Sequence, residues 1–411
     1  MFKLLPTASI NLSRTAFSIQ EVAVTSPDSL NGHPLGVLEL KNGRDGFLRR
    51  KEHAYLAESG DVFVAQRLIE RLGLRTGDVI SGALDQQRGR GRGPALASVT
   101  LVNGLPPESV AERPEFNRLT AIHPTERLRL ECEAIKGTQL APICRVIDIL
   151  CPFGKGQRAL IVAPAKAGKT TVLQAVGAGL AANYPTAQLL FLLTDERPEE
   201  VTEMESWGYG EVVASSFDFP ADRHVAIAEM ALERARRRVE SGADVILILD
   251  SITRLARAYN TIERGDGRTL SGGLGAQSLE KPKRFFGSAR AVDPAQGGGS
   301  LTIIATALVD TGSKMDQVIF EEFKGTGNSE LVLSRELADR RVYPAIDLVA
   351  SATRKEELLL SEEELAASHA LRKTIAAIPT IQGMQMVLEL LKRTPTNADL
   401  VKDTVRDGKS R

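Results

Sequence analysis

The stretch Ala163-Pro-Ala-Lys-Ala-Gly-Lys-Thr170 has the residue types and spacing that hold a polyphosphate. Small residues at Ala165, Ala167 and Gly168 let backbone N–H groups curl around the phosphates. Lys169 adds a point charge, and the Thr170 hydroxyl, followed by Thr171, offers a ligand to Mg²⁺. Ala163 stands where the pattern G-x-x-x-x-G-K-[ST] begins with glycine, a small departure. The competing reading is an accidental connection between a strand and a helix. Two acids fall at matching places downstream. Asp250 ends the run Val245-Ile-Leu-Ile-Leu249 and suits a metal held through water; otherwise it caps the next helix. Glu196 follows a strand ending at Thr194 and suits the orientation or deprotonation of an attacking water; otherwise it pairs with Arg197.

Such side chains need a sheet whose strands end together. Leu160-Ile161-Val162 before the loop and Thr171 to Ala182 after it read as strand and helix. The alternation continues with a strand at Leu189–Thr194, a helix at Pro198–Ser206 and a strand at Val212–Ala214. A helix at Arg223–Glu240 and strands at Val245–Leu249 and Leu301–Leu308 follow, and Val146–Leu150 reads as a strand before the turn Cys151–Gly154. This predicts a doubly wound α/β domain with a mostly parallel sheet and its ligands at the carboxyl ends of the strands. Arg234, Arg236, Arg237 and Arg238 read as a solvated or subunit-facing stripe. The glycine-rich run from Arg264 to Gly275, with Gly272 and Gly273, and the loop Asp310-Thr-Gly-Ser-Lys314 suit a grip on a polymer. Plain connection is the alternative.

Ahead of this domain the pattern changes to short strands at Val37–Leu40, Gly46–Arg49, Val62–Val64, Thr76–Gly82 and Leu96–Val102, split by turns. They predict a small β-barrel of OB or cold-shock type. Phe47, Tyr55 and Phe63 beside Arg49 either stack bases or fill the barrel, and for Phe63 filling is favoured. The tip Gln87-Arg-Gly-Arg-Gly-Arg-Gly93 either grips phosphates or is a solvated turn. The resulting boundaries are an irregular arm over 1–34, the barrel over 35–103, a linker over 104–140 and the ATPase-like domain over 141–411.

Composition bounds the rest. The 411 residues carry 52 basic and 52 acidic side chains, so partners are chosen by local patches rather than by overall charge. Cys132, Cys144 and Cys151, and the scattered His33, His53, His123, His224 and His369, have no metal-ligand spacing. The start lacks the apolar core of a signal peptide and no run reaches membrane-span length, so the expectation is a cytoplasmic protein with no membrane partner.

The ordered words Val162–Thr170, Asp195-Glu-Arg-Pro-Glu-Glu-Val-Thr-Glu-Met204 and Asp250-Ser-Ile-Thr-Arg-Leu-Ala-Arg-Ala-Tyr-Asn260 resemble the Rho transcription termination factor family. So do Lys281–Gly287, Thr311–Asp316, Glu321–Gly327 and Thr353–Leu359. The resemblance implies a RecA-like P-loop core in a homohexamer, an RNA-dependent ATPase and RNA–DNA helicase that terminates transcription using ATP and Mg²⁺. Single-stranded RNA and RNA polymerase are the implied partners. By resemblance, Ala165, Lys166, Ala167, Gly168, Lys169, Thr170, Thr171 and Arg197 surround the nucleotide, with Tyr343 stacked on adenine. Thr170 and Asp250 serve the metal and Glu196 activates water. Arg354 acts as an arginine finger from the neighbouring subunit, and Arg341 as a second trans-acting arginine. Phe47, Arg49 and Phe63 on the barrel and Gly272, Gly273 and Lys314 in the ring channel contact RNA. The pattern departs at Gly43-Arg-Asp-Gly-Phe47, where one of two stacking aromatics is lost. The other reading is therefore a Rho-like ring with weakened RNA recognition that acts through a protein partner.

Overall fold

The computed structural model describes residues 34–41, 43–85, 93–263, 273–275 and 277–409. The expected arm before Pro34, the tip residues 87–92 and Gly272 lie outside them. Five antiparallel strands come first: β1 (Pro34–Lys41), β2 (Asp45–Arg49), β3 (Val62–Val64), β4 (Val79–Leu84) and β5 (Leu96–Val102), in the order β3-β2-β1-β4-β5. Alternation along them turns Leu38, Leu48, Val62, Val64 and Ile80 into one small core. The Phe63 N–H donates to the Pro94 carbonyl at 2.9 Å, curling the two edges together as the barrel reading expects. A helix not foreseen, α1 (Gln66–Leu72), fills the gap between β3 and β4 and ends at a left-handed Gly73.

The segment expected as a linker is packed. It holds α2 (Pro107–Ala111), with proline in its first turn, and the short strands β6 (Ala121–Ile122) and β7 (Arg127–Leu128). Next comes α3 (Ala141–Leu150), which corrects the strand expected at Val146–Leu150. A five-residue apolar run has no period that separates strand from helix. Contacts far along the chain decide it, for Arg145 donates to the Leu391 and Thr394 carbonyls, both at 2.8 Å, and Asp148 accepts from the Leu130 and Glu131 amides.

The larger domain alternates β8 (Phe153–Gly154), β9 (Arg158–Pro164), α4 (Lys169–Asn183), β10 (Gln188–Glu196), α5 (Pro198–Ser206), β11 (Glu211–Ser216), α6 (Ala221–Val239), β12 (Asp244–Asp250) and α7 (Ile252–Ile262). It goes on through α8 (Glu280–Phe286), β13 (Arg290–Val292), β14 (Ser300–Val309), α9 (Lys314–Lys324), β15 (Ser329–Val332), α10 (Arg335–Asp339) and β16 (Ala352–Thr353), and closes with α11 (Glu362–Ala376), α12 (Thr380–Arg393) and α13 (Asn397–Lys409). The sheet order is β11-β10-β12-β14-β9-β15-β16, parallel from β11 to β15. The strands Leu189–Leu193, Val245–Leu249 and Leu301–Ala305 are buried almost end to end because helices cover both faces.

The arginines of α6 are a second correction: Arg234, Arg237 and Arg238 are buried against the barrel and the segment that follows it. Arg234 donates to the Tyr55 hydroxyl at 2.8 Å and to Glu211, and Tyr55 is itself buried, so it joins domains rather than stacking bases. Glu240 accepts from Arg75, Arg113 and the Phe116 amide within 3.0 Å. At Gly77 (φ +96°) a Cβ would come 2.4 Å from the Glu233 backbone, so only glycine lets the barrel sit this close to α6.

Candidate nucleotide site and polymer-facing loops

β9 delivers the chain to the phosphate loop in strand geometry, and Gly168 (φ +87°) turns it into α4. Lys166 shares the left-handed region at φ +64°. No side chain caps the first turn of α4, so its amides point into the loop with the positive end of the helix behind them. Ala165 and Lys166 are exposed, Ala167 is buried, and Gly168, Lys169, Thr170 and Thr171 are half-buried along the mouth. An acceptor-rich anion such as a triphosphate meets the unmet needs of this loop.

Parallel pairing brings the acids to it. Leu193 on β10 stands opposite Asp250 on β12, which sets the two strand ends side by side. Lys169 Nζ lies 2.7 and 2.6 Å from the two Asp250 oxygens and 3.1 Å from Glu196 Oε1. Glu196 and Asp250 are only 1% and 2% exposed, so the lysine is their local counter-charge. Burial opposes the lysine's charge, yet Asp250 and Glu196 together hold its pKa above the ordinary value. Burial first, and the Asp250 charge second, push the Glu196 carboxyl above the usual range against Lys169 and Arg254. A bulge at Asp195 (φ +58°) breaks the β10–β11 register just before Glu196, re-aiming that side chain.

Two supporting residues escaped sequence reasoning. Thr306 on β14 donates to Asp250 Oδ1 at 2.6 Å, and Arg254 on α7 lies 3.4 Å from Glu196. The available signal for Arg254 was its place one helical turn after Asp250; Thr306 gave none beyond lying on a strand.

The remaining predicted residues are placed as follows. Tyr343 is 46% exposed, and its ring lies 3.8 Å from where a Cβ on Gly168 would stand, so it flanks the phosphate loop. Arg197 is exposed at the start of α5. Arg341 is exposed after α10. Arg354 is exposed at the opposite edge: its N–H donates to the Asn328 carbonyl, while Asn328 Oδ1 accepts from the Arg158 N–H where β9 begins. From Arg158 to the loop runs the length of β9, about 20 Å at a rise of ~3.3 Å per residue. Glu356, two residues on from Arg354, meets His369 and Arg372.

α7 reaches the loops around Gly273 and Lys314. Asn260 donates to the Gly273 carbonyl at 3.3 Å and accepts from the Gly275 N–H at 2.9 Å, while a Cβ on Gly273 would lie 3.9 Å from Met315. Lys314 is exposed at the start of α9, whose Ser313 cap accepts from the Asp316 N–H. Thus Gly273 and the Lys314 turn are neighbours.

On the barrel, Phe63 does not fill the interior: Val62 and Val64 point inward and Phe63 faces out, edge-on to Phe47 with ring centroids 5.7 Å apart. Arg49 is buried, paired with Asp61 and Glu39, and 5.2 Å from the Phe47 ring centre. Among the described residues the buried Asp61 Oδ1 has no hydrogen-bond partner, a further candidate the sequence did not mark.

Residues 35–108 match the Rho termination factor RNA-binding domain, and residues 144–353 the nucleotide-binding domain of the ATP synthase alpha/beta family. The transcription termination factor Rho of Salmonella typhimurium is 52% identical over 364 residues, covering 89% of this chain and 86% of that protein. The chain belongs to the Rho transcription termination factor family. By family it is a transcription termination factor, an ATP-hydrolysing enzyme with an RNA-binding domain. The Rho protein of Gemmatimonas aurantiaca is 54% identical over 356 residues, 87% of this chain but 48% of that longer relative. That of Cereibacter sphaeroides is 48% identical over 89% of this chain and 85% of the relative. A solved ATPase of a type III secretion system shares the fold at TM-score 0.59 and 22% identity, over 78% of this chain and 93% of its own. Among the described residues no helix is long and apolar enough to cross a membrane.

Proposed function

We propose that this Rho family member is a cytoplasmic, homohexameric RNA translocase and RNA–DNA helicase that spends ATP to draw RNA through its ring and release it from RNA polymerase. The observation that carries the coupling of hydrolysis to RNA is α7: it starts at the metal-side acid Asp250, touches Glu196 through Arg254, and ends on Gly273 and Asp316 beside Lys314.

In this reading the loop amides, Lys166 and Lys169 bind the phosphates, Tyr343 stacks on the base, and Arg197 flanks the nucleotide. Thr170 and Asp250 would hold Mg²⁺, which would supply positive charge beside the phosphates; one carboxylate, one hydroxyl and the phosphates suit this ion. Lys169 leaves the acids for the phosphates, and Glu196, freed from it, takes the proton of the attacking water. Arg354 lies too far from its own phosphate loop to touch it, which supports action on a neighbour's, with Arg341 assisting. Charge developing on the transferred phosphoryl group is then neutralised only when the subunit interface closes.

On the barrel, Phe47 and Phe63 offer ring surface to bases, and Asp61 Oδ1 is an acceptor that the amino group of cytosine satisfies. The residue boundaries 35–103, 104–140 and 141–411 serve as the working division into barrel, connector and motor.

The experiment is steady-state ATP hydrolysis with Mg²⁺, without RNA and with cytosine-rich or cytosine-free RNA, for wild type and Lys169→Ala. RNA should stimulate the wild type and Lys169→Ala should be inactive. Hydrolysis by the variant, or indifference of the wild type to every RNA, rejects the reading.

A further inference from the structure

Among the described residues β11 is an edge strand of the sheet, with β10 as its one strand neighbour, yet its carboxyl end borders Glu196. Ser215 pairs with Thr194, Ser216 pairs with Glu196 across the bulge, and the Phe217 N–H donates to the Glu196 carbonyl at 3.1 Å. Beyond Ser216 the chain leaves the sheet. A strand end of this kind frays unless a side chain pins it.

The pin comes from α6. His224 Nδ1 is hydrogen-bonded to Ser215 Oγ, with both residues buried, 5% and 1% exposed. The Phe219 carbonyl also interacts with the ring and favours its charged form. Asp195 and Asp222 face it with negative charge and Arg254 with positive charge, while burial holds its pKa down. The helix bearing the pin is itself clamped to the barrel through Arg234, so the pin stands on a fixed base.

We propose that His224 is a positioning residue for ATP hydrolysis: through Ser215 it locks the end of β11, and through the Phe217 amide it fixes the backbone from which Glu196 reaches the attacking water. The inference rests on the assignment of Glu196 to that water. A displacement of about 1 Å at a catalytic group costs on the order of a hundredfold in rate. Binding of ATP uses the phosphate loop and Tyr343, which the pin does not touch, so kcat should move and KM should not.

The test uses the full chain with RNA and Mg²⁺. Ser215→Ala and His224→Ala should each lower kcat by about tenfold to a hundredfold, with KM for ATP little changed. The double variant should be no slower than either single one, because one link is broken in all three. His224→Asn, whose amide can stand near the Nδ1 position, should recover most of the rate. If His224→Ala folds poorly, Ser215→Ala still decides, since it removes one oxygen. Equal loss in kcat and KM, additive singles, or no recovery by asparagine overturns the proposal. Glu196→Gln separates the two levels: if it hydrolyses ATP normally, the role of Glu196 falls and the pin with it. If Glu196→Gln is inactive while Ser215→Ala keeps full kcat, the pin alone falls.

Discussion

Arg257 grips Asp316 as a fork, Nε to Oδ1 at 2.7 Å and Nη2 to Oδ2 at 2.5 Å, and the Thr311 hydroxyl closes on Oδ2 at 2.6 Å. The pair joins α7, which begins at the nucleotide acids, to the turn that presents Lys314. Asp316 is 1% exposed, so the fork and the Thr311 hydroxyl take the place of water around its carboxylate. Arg257→Ala should leave RNA-free hydrolysis near the wild-type level and cut stimulation by RNA about five- to a hundredfold, the range of typical coupling energies. The ratio of stimulated to basal rate checks this, and an unchanged ratio removes α7 as the link.

Arg354 begins where β15 and β9 begin, at the far end of the sheet from its own Lys169. Arg354→Ala should therefore bind ATP normally but hydrolyse it slowly, by about a thousandfold or more if the arginine meets the γ-phosphate. Mixing Arg354→Ala subunits with Lys169→Ala subunits should restore some activity, because one kind keeps the site and the other the finger. If mixed rings stay as inactive as the pure ones, the trans assignment fails.

In the proposed reading, Phe47 and Asp61 divide barrel recognition into stacking and edge-reading. Phe47→Ala should weaken binding of any single-stranded RNA by about 1–3 kcal/mol, at unchanged thermal stability. Asp61→Asn keeps the shape and should narrow the gap between cytosine-rich and uracil-rich RNA. Direct binding measured with both RNAs discriminates, and a variant that loses affinity equally for both assigns Asp61 to barrel structure alone.

The phosphate loop, Asp250 and Glu196 were legible because each sits where a buried strand ends, and a parallel sheet brings such ends together. Helix Pro198–Ser206 was legible from its proline start and acidic first turn. What could not be read depends on partners distant in sequence. The α6 arginines look solvated until Glu211, Glu240 and the barrel are placed against them. Val146–Leu150 has no period of its own, and its helix is settled by Arg145 reaching Thr394. Phe63 misled because all three residues of its strand are apolar, which hides the outward face that alternation itself predicts.

Glu196 yields a pH test whose sign follows from its surroundings. Burial and Asp250 raise its pKa, so the folded chain holds that proton more tightly than the unfolded chain does. Its contribution to stability is then fully present below the unfolded value and is lost as pH rises through the folded one, opposite to the usual carboxylate. Lys169 acts on another window: its raised pKa means its contribution persists until pH climbs past the ordinary lysine range. For hydrolysis the base must be ionised, so kcat/KM should fall on the acid side at a pH above the ordinary glutamate pKa. Arg254 opposes the rise from 3.4 Å away, and removing it strips a charge that favours the carboxylate. Arg254→Ala should therefore move the acid limb to still higher pH, and Arg254→Lys should move it less. A limb that stays put or moves down in Arg254→Ala would show that the group titrating there is not Glu196.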